Sequence, residues 1–483
     1  MTPDEIRALT LTQVAEAIRT RKLTSTEVTQ ACVDHAIATE GTLHTFVKFM
    51  PAEALARAAE ADAALARGEL WGPLHGVPVA FKDNLDTAGI PTECGSPVLK
   101  GRIPEKNAYA VDQILNAGAI SLGKLNMHEF ASGSTSINPY TGSPRNPWGP
   151  DHITGGSSGG SSTAVVAGIV YAALGTDAGG SVRGPASLCG HVGLKQTHGL
   201  VSLSGAVFNT WSGDHVGPHT KTVEDAALML KVMAGHNPAD STSVPFDLGE
   251  MPEMSLVGLR VGVPENFYFD DLDAEVETTT RRVIADMAAA GATIVPFRLE
   301  NMEIMVAARM LTGSDGYLYH AKLLEERGEL YGEQGVRFRL LASQYLRAED
   351  YSRALRARRL VIAEFVSLFD KMDVFVCPTT TTTAYPIAAE TVTFGGKTYD
   401  LKAPAATNFM LRNCGPQNYT GLPSISIPSG LASSGFPIGL QIVANHFDDM
   451  RLLGIAQAVE RLIGYDEVAP WFTAQPVATP AMA

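Results

Sequence analysis

Cysteine is scarce in this chain. Five occur in 483 residues, Cys32, Cys94, Cys189, Cys377 and Cys414. They lie far apart and none forms a C-x-x-C pair, which speaks against a zinc ribbon or a thioredoxin-like redox site. An odd number without framework spacing fits a reducing compartment. Basic residues are also in deficit, with 37 Lys and Arg against 51 Asp and Glu and a net charge of −14. That charge is spread along the chain and argues against sequence-independent nucleic-acid binding, which needs clustered Lys and Arg. No uncharged apolar run approaches membrane-spanning length. The first residues, Met1-Thr-Pro-Asp-Glu, show neither the basic nor the apolar part of a signal peptide. The cytoplasm is the expected location, with neither nucleic acid nor membrane as a partner.

Glycine and serine, by contrast, are concentrated. Thr154 to Lys195 holds Gly155-Gly-Ser-Ser-Gly-Gly-Ser-Ser162 and, further on, Gly175-Thr-Asp-Ala-Gly-Gly-Ser-Val-Arg-Gly184. Between the clusters, Thr163 to Leu174 is almost wholly apolar. Its first half suits a buried helix, and Val170 to Thr176 a short strand. Glycine lets the backbone approach another group closely, and consecutive N–H groups in such a loop can converge on one oxyanion. A serine at 181 would attack a carbonyl beside donors from its own loop. A flexible linker has the same composition, but the flanking apolar runs argue against one.

These loops resemble the signature of the amidase signature family of serine amide hydrolases. The resemblance extends to Gly76-Val-Pro-Val-Ala-Phe-Lys-Asp-Asn84, Asn126-Met-His-Glu-Phe130, Asn146-Pro147 and Cys189-Gly-His-Val-Gly-Leu-Lys195. Weaker echoes follow at Thr420 to Pro428 and Phe436 to Leu440. It implies a Ser-Ser-Lys triad: Ser181 as nucleophile, Ser157 as a bridging serine on a cis peptide, and Lys82 as the terminal base. The backbone N–H groups of Ala178, Gly179, Gly180 and Ser181 are the candidate oxyanion hole. Ser158, Ser161, Asp177 and Arg183 are read as supporting residues, the last two as an ion pair bracing the loop. Neither cofactor nor metal is implied. Phe130, Phe208, Trp211, Tyr317 and Tyr319 are candidates for the substrate pocket, equally readable as core.

Two other readings of the site compete with this one. Gly155-Gly-Ser-Ser-Gly159 satisfies the G-x-S-x-G nucleophile elbow, but Pro144 to Ile153 before it makes a poor strand. Twelve histidines are present, and His152, His191, His198 and His215 lie near the signature. A histidine base is the usual solution, yet a lone histidine is more often structural.

The remaining chain reads as strands alternating with helices. That implies an α/β protein built on a large mixed, mostly parallel twisted sheet flanked by helices. Residues 1–70 read as an N-terminal helical layer, with Thr2-Pro3 and Thr24 to Glu27 as helix starts and Gly68 as a stop. Residues 71–483 read as a single α/β domain, with the signature core over about 74–230. Met127 to Ala131 reads as the start of a helix, and Ser132 to His152 as a long ordered loop. Residues 303–370 read as mostly helical. The stretch from 300 to 350 is the least family-like and is a natural site for substrate-specific walls. The function implied is cleavage of the C–N bond of a small amide, anilide or carbamate through an acyl-enzyme. The alternatives are the glutaminase subunit of a tRNA-dependent amidotransferase and a family member that binds without catalysis. Family relatives often dimerise, so a homodimer is one reading of the assembly, and the sequence leaves the oligomeric state open.

Overall fold

The computed structural model describes residues 1–332, 334–402 and 409–473. Its centre is a sheet of eleven strands. In chain order these are β1 (Phe46–Phe49), β2 (Pro78–Lys82), β3 (Ile120–Leu125), β4 (Ala172–Thr176), β5 (Val192–Lys195), β6 (Val216–Thr220), β7 (Arg260–Pro264), β8 (Thr293–Phe297) and β9 (Val374–Pro378). A separate hairpin, β10 (Thr391–Phe394) and β11 (Lys397–Asp400), lies outside the sheet, which β12 (Ser424–Leu431) and β13 (Pro437–Val443) complete. The order across the sheet is β1-β3-β2-β4-β6-β5-β12-β13-β9-β7-β8.

Parallel pairing is confined to two blocks. One sets β2 between β3 and β4; the other sets β7 between β8 and β9. Antiparallel ladders through β6, β5, β12 and β13 join them. The sheet is therefore mixed, with more antiparallel pairing than a simple alternation of strand and helix suggests. The first block matters most for chemistry. In parallel neighbours the carboxyl ends lie at one edge, where α/β sheets bind their ligands. Phe81 pairs with Leu174, so Lys82 and Thr176 emerge side by side at the ends of β2 and β4.

Most sequence-level expectations for the elements are met within a few residues. Thr2 and Thr24 each close a capping box, and the helix Pro51–Ala66 stops before Gly68, whose φ is +85°. Helices cover Gly159–Val166, Val223–Met233, Ala274–Ala289 and Asp449–Ile463. Three differences are instructive. The N-terminal segment is not wholly helical, because Phe46–Phe49 adds an edge strand antiparallel to β3. Four residues are too few for a periodic signal, and pairing with the neighbour decides them. The helix expected from Met127 is only a single 3₁₀ turn, Glu129–Ala131, in which Phe130 has φ +49°. Side chains take over the backbone groups there: Asn126 accepts the Met127 N–H, and Asn138 donates to the Met127 carbonyl. The strands β5 and β6 and the short helix Arg183–Cys189 are further elements that sequence pattern alone does not reveal.

The N-terminal helices and the sheet share one core. Leu11, Val14, Ile18, Val28 and Leu43 are buried in the same apolar cluster as Val79, Phe81, Leu122, Leu174 and Ile425. A second cluster joins the helices Met302–Thr312 and Ala348–Leu368 to the far end of the sheet through Met305, Val361, Phe365 and Phe375. Among the described residues no helix is long and apolar enough to cross a membrane.

Candidate active site

Lys82 is the last residue of a strand whose five residues are all buried. Its ammonium nitrogen lies 2.7 Å from Ser157 Oγ and 2.9 Å from Thr176 Oγ1. Thr176 Oγ1 also accepts from Asn84 Nδ2 at 3.0 Å. No carboxylate pairs with this lysine among the described residues. Burial therefore dominates and lowers its pKa to about 7, with the charges of Asp214 and Asp177 opposing. A lysine in that range is substantially neutral in mildly alkaline solution and can accept a proton.

Ser157 is fully buried and follows a non-proline cis peptide, Gly156–Ser157. Ser181 sits on the loop after β4 and, at 7% exposure against 0% for Ser157, is the less buried of the two serines. Its hydroxyl has no hydrogen-bond partner among the described residues. The G-x-S-x-G reading finds no support in the backbone. Turns rather than a strand precede Ser157, and its partner is a lysine.

The loop carrying Ser181 is clamped from behind. Asp177 accepts from Arg183 Nη2 at 2.9 Å and Nε at 3.0 Å, from Asn418 Nδ2 at 2.9 Å, and from the Gly180 and Val182 amides. Both members of this ion pair are fully buried. Burial would raise the Asp177 carboxyl, but the Arg183 charge and hydrogen bonds, joined by Asn418, outweigh it and hold it well below the usual carboxylate range. Arg183 extends to Gln441 on β13 and to Asn418. One expectation is corrected here. The Gly180 N–H points at Asp177 Oδ1, 2.7 Å away, and is not free for an oxyanion. The amides of Ala178, Gly179 and Ser181 remain unclaimed by protein acceptors among the described residues. Gly180 has φ +119°, which frees the turn to make that bond.

The supporting serines brace the neighbouring backbone. Ser158 Oγ donates to the Thr176 carbonyl and Ser161 Oγ to the Leu174 carbonyl. Cys189 is buried and contacts the Thr154 carbonyl. The histidines do not enter the lysine–serine arrangement. His191 and His219 meet each other at 2.9 Å, His215 lies 3.1 Å from Lys195, and His152 pairs with Asp151. Burial lowers His191 to about 3 and His198 to about 4, so both are neutral.

The aromatic candidates separate. Phe130 is buried and packs edge-on against His320, 4.6 Å between ring centres, in a satellite core with Val98 and Tyr331. Phe208 is partly buried and faces Tyr319 at 6.4 Å. Trp211 is 45% exposed and lies outside the apolar clusters, and its backbone N–H donates to Asp315. Tyr317 is partly buried at the start of the helix Tyr317–Arg327. Four site residues escape sequence reasoning: Thr176, Asn84, Asp214 and Arg309. The first two adjoin motif positions, which is the signal that could reveal them. Asp214 is buried, accepts the Asn209 and Thr210 amides, and is raised to about 7 by burial. Arg309 lies on a helix of the least family-like stretch and has no local signal.

This mixed sheet, with a buried lysine–serine pair at the carboxyl ends of two parallel strands, is the frame of a serine-type hydrolase. The chain belongs to the amidase family, whose model matches residues 27–453, and is an amidase-signature hydrolase of C–N bonds. It is 36% identical to a glutamyl-tRNA(Gln) amidotransferase subunit from Chloroflexus aurantiacus, over 98% of this chain and 99% of the relative. Among solved structures it is similar to a native peptide amidase from Stenotrophomonas maltophilia. There the TM-score is 0.83 at 27% identity, covering 97% of this chain and all of that one. It is also similar to a chain from a vestigial protein complex described in connection with an s-triazine catabolic enzyme. That match has a TM-score of 0.87 at 29% identity, covering 95% of this chain and all of the other.

Proposed function

We propose that this protein hydrolyses amides through an acyl-enzyme on Ser181, with Ser157 and Lys82 as a proton relay. The observation that carries the reading is the buried Lys82–Ser157 contact at 2.7 Å, with the lysine lowered to about 7. A neutral amine has two N–H groups and one lone pair. Thr176 takes one N–H, and the lone pair is directed at the Ser157 hydroxyl. Ser157 passes its proton to Lys82 as it receives one from Ser181, whose oxygen attacks the carbonyl carbon. The Ala178, Gly179 and Ser181 amides stabilise the oxyanion, each donor contributing about 3–4 kcal/mol in comparable sites. The same chain then runs backwards. Lys82 returns its proton through Ser157 to the departing nitrogen, the C–N bond breaks, and water attacks the acyl-enzyme with the relay again as base.

Anilides and carbamates are within reach of this chemistry: an anilide expels a nitrogen from the acyl carbon, and a carbamate's carbonyl carbon carries both a nitrogen and an oxygen, of which a nitrophenyl carbamate releases nitrophenolate. The names of the amidotransferase relatives favour a second reading, a glutaminase subunit that releases ammonia for a partner. Both readings are tested by hydrolysis of an aryl acylamide, a nitrophenyl carbamate, a primary fatty amide and glutamine. The native protein is compared with Ser181→Ala and Lys82→Ala. Cleavage of the anilide or carbamate that both variants abolish supports the free amidase. Cleavage of glutamine alone supports the amidotransferase reading. Activity that survives Ser181→Ala overturns the assignment of the nucleophile.

A further inference from the structure

Arg309, on the helix Met302–Thr312, reaches across to the loop that carries Ser181. Its Nη2 lies 3.5 Å from the Ala178 carbonyl. A methyl group on Gly179 would sit 2.1 Å from that nitrogen, and one on Gly415 would sit 3.0 Å from Nη1 and Cζ. The guanidinium is thus wedged between two backbones that glycine alone leaves room for. It stands directly against an amide unit expected to face the substrate. A guanidinium has five N–H donors. Among the described residues this one has the single long bond to Ala178 and no carboxylate partner. Asp177, whose charge reaches it, is already paired with Arg183. The contrast with Arg183 is sharp: that guanidinium meets Asp177, Gln441 and Asn418 within 3.0 Å.

Arg309 is only partly buried, so its unfilled donors stay open to solvent and to a ligand beside the reactive loop. The planar fork of a guanidinium matches a carboxylate, which accepts two parallel N–H bonds. We propose that Arg309 is the anion-binding residue of this active site, and that the natural substrate is a small amide bearing a carboxylate a few bonds from the scissile carbonyl. This rests on the amide-hydrolase reading and specifies its substrate class. The monoamide of a dicarboxylic acid and glutamine both meet the description.

The test compares succinamate with butanamide, which differ by the carboxylate, for the native protein, Arg309→Met and Arg309→Lys. The native protein should prefer succinamate. Arg309→Met should lose about 10- to 100-fold in kcat/KM on succinamate, mostly through KM, and far less on butanamide. Arg309→Lys should recover part of the loss. A loss equal on both substrates overturns the proposal, because it would place the charge at the oxyanion or in the scaffold. So does a native preference for butanamide over both succinamate and glutamine. Glutamine in parallel ranks the carboxylate source, and turnover of either anion above butanamide supports the proposal. Calorimetric binding of succinamate to Ser181→Ala, lost in Ser181→Ala with Arg309→Met, reads the subsite without turnover; binding unchanged by the second substitution overturns it. Cleavage of a nitroanilide by the native protein but not by Ser181→Ala stands independently of Arg309, so failure of the hydrolase reading is seen separately.

Discussion

The signature core and the helical wall over residues 302–368 are built on opposite terms. Around Lys82 and the two serines, polar groups are buried and turned towards each other, and glycines sit where no methyl would fit. A Cβ on Gly160 would come within 2.4 Å of the Asn126 carbonyl oxygen, and one on Gly175 within 2.4 Å of His219 Nε2. The wall shows apolar side chains to the outside: Leu318 is 81% exposed, Tyr345 80% and Met310 75%. A methyl on Gly313 there would meet nothing within 4 Å. The core fixes a reaction, which allows one geometry. The wall packs its inner face on the far end of the sheet, and its outer face is free to vary. Arg309 is where the two meet.

That contrast can be broken in several ways. The largest expected effect is on turnover: Lys82→Met or Ser181→Ala should reduce amide hydrolysis by about 10⁴-fold or more, with melting behaviour retained. Next is packing. Gly160→Ala pushes a methyl into the backbones of Asn126 and Thr45 and should cost about 3 kcal/mol of stability in a denaturant titration. Gly313→Ala, in a 3₁₀ turn with ordinary helical φ, should leave the midpoint unchanged or slightly raised. If both glycines tolerate alanine equally, the distinction between core and wall fails.

Thr176→Val removes the oxygen that receives both Lys82 and Asn84. A loss of about 10-fold in kcat, with little change in KM, is expected if it orients the lysine. The pH profile sharpens the same point. Neutral Lys82 is the working form, so kcat/KM should rise as pH increases through about 7 and then level off. Asp214 raises the lysine pKa by its charge, so Asp214→Asn should move the acid limb to lower pH; a shift the other way contradicts this coupling. The smallest effect belongs to the wall. Met310→Ser or Leu318→Ser should change stability by about 0.5 kcal/mol or less.

Much of the fold and site is legible in the chain because local chemistry determines it. The capping boxes at Thr2 and Thr24, the stop at Gly68 and the apolar run into β4 are readable without neighbours. The two serine clusters and Lys82 stand out by composition and family resemblance. What cannot be read are features that neighbours impose. Phe46–Phe49 becomes a strand only beside β3, and Phe130 leaves the helical region because Asn126 and Asn138 capture the backbone of Met127. Gly180 looks like an oxyanion donor from its place in the loop, yet its N–H belongs to Asp177, and only the folded loop shows which way each amide turns.

By itself the sequence determined which groups are available: a lysine ending an apolar strand, serines framed by glycine, an acid and an arginine flanking the second cluster. The tertiary structure alone decided what they do to one another. Lys82 meets Thr176 across 94 residues of chain because β2 and β4 are parallel neighbours. The loop before the helix Gly159–Val166 brings Ser157 to the same nitrogen, and the lowered pKa of the lysine comes from burial that no local pattern encodes. Arg309 reaches the Ser181 loop from 131 residues beyond Ala178. Desolvation and charge act over distances in space, and the fold sets those distances.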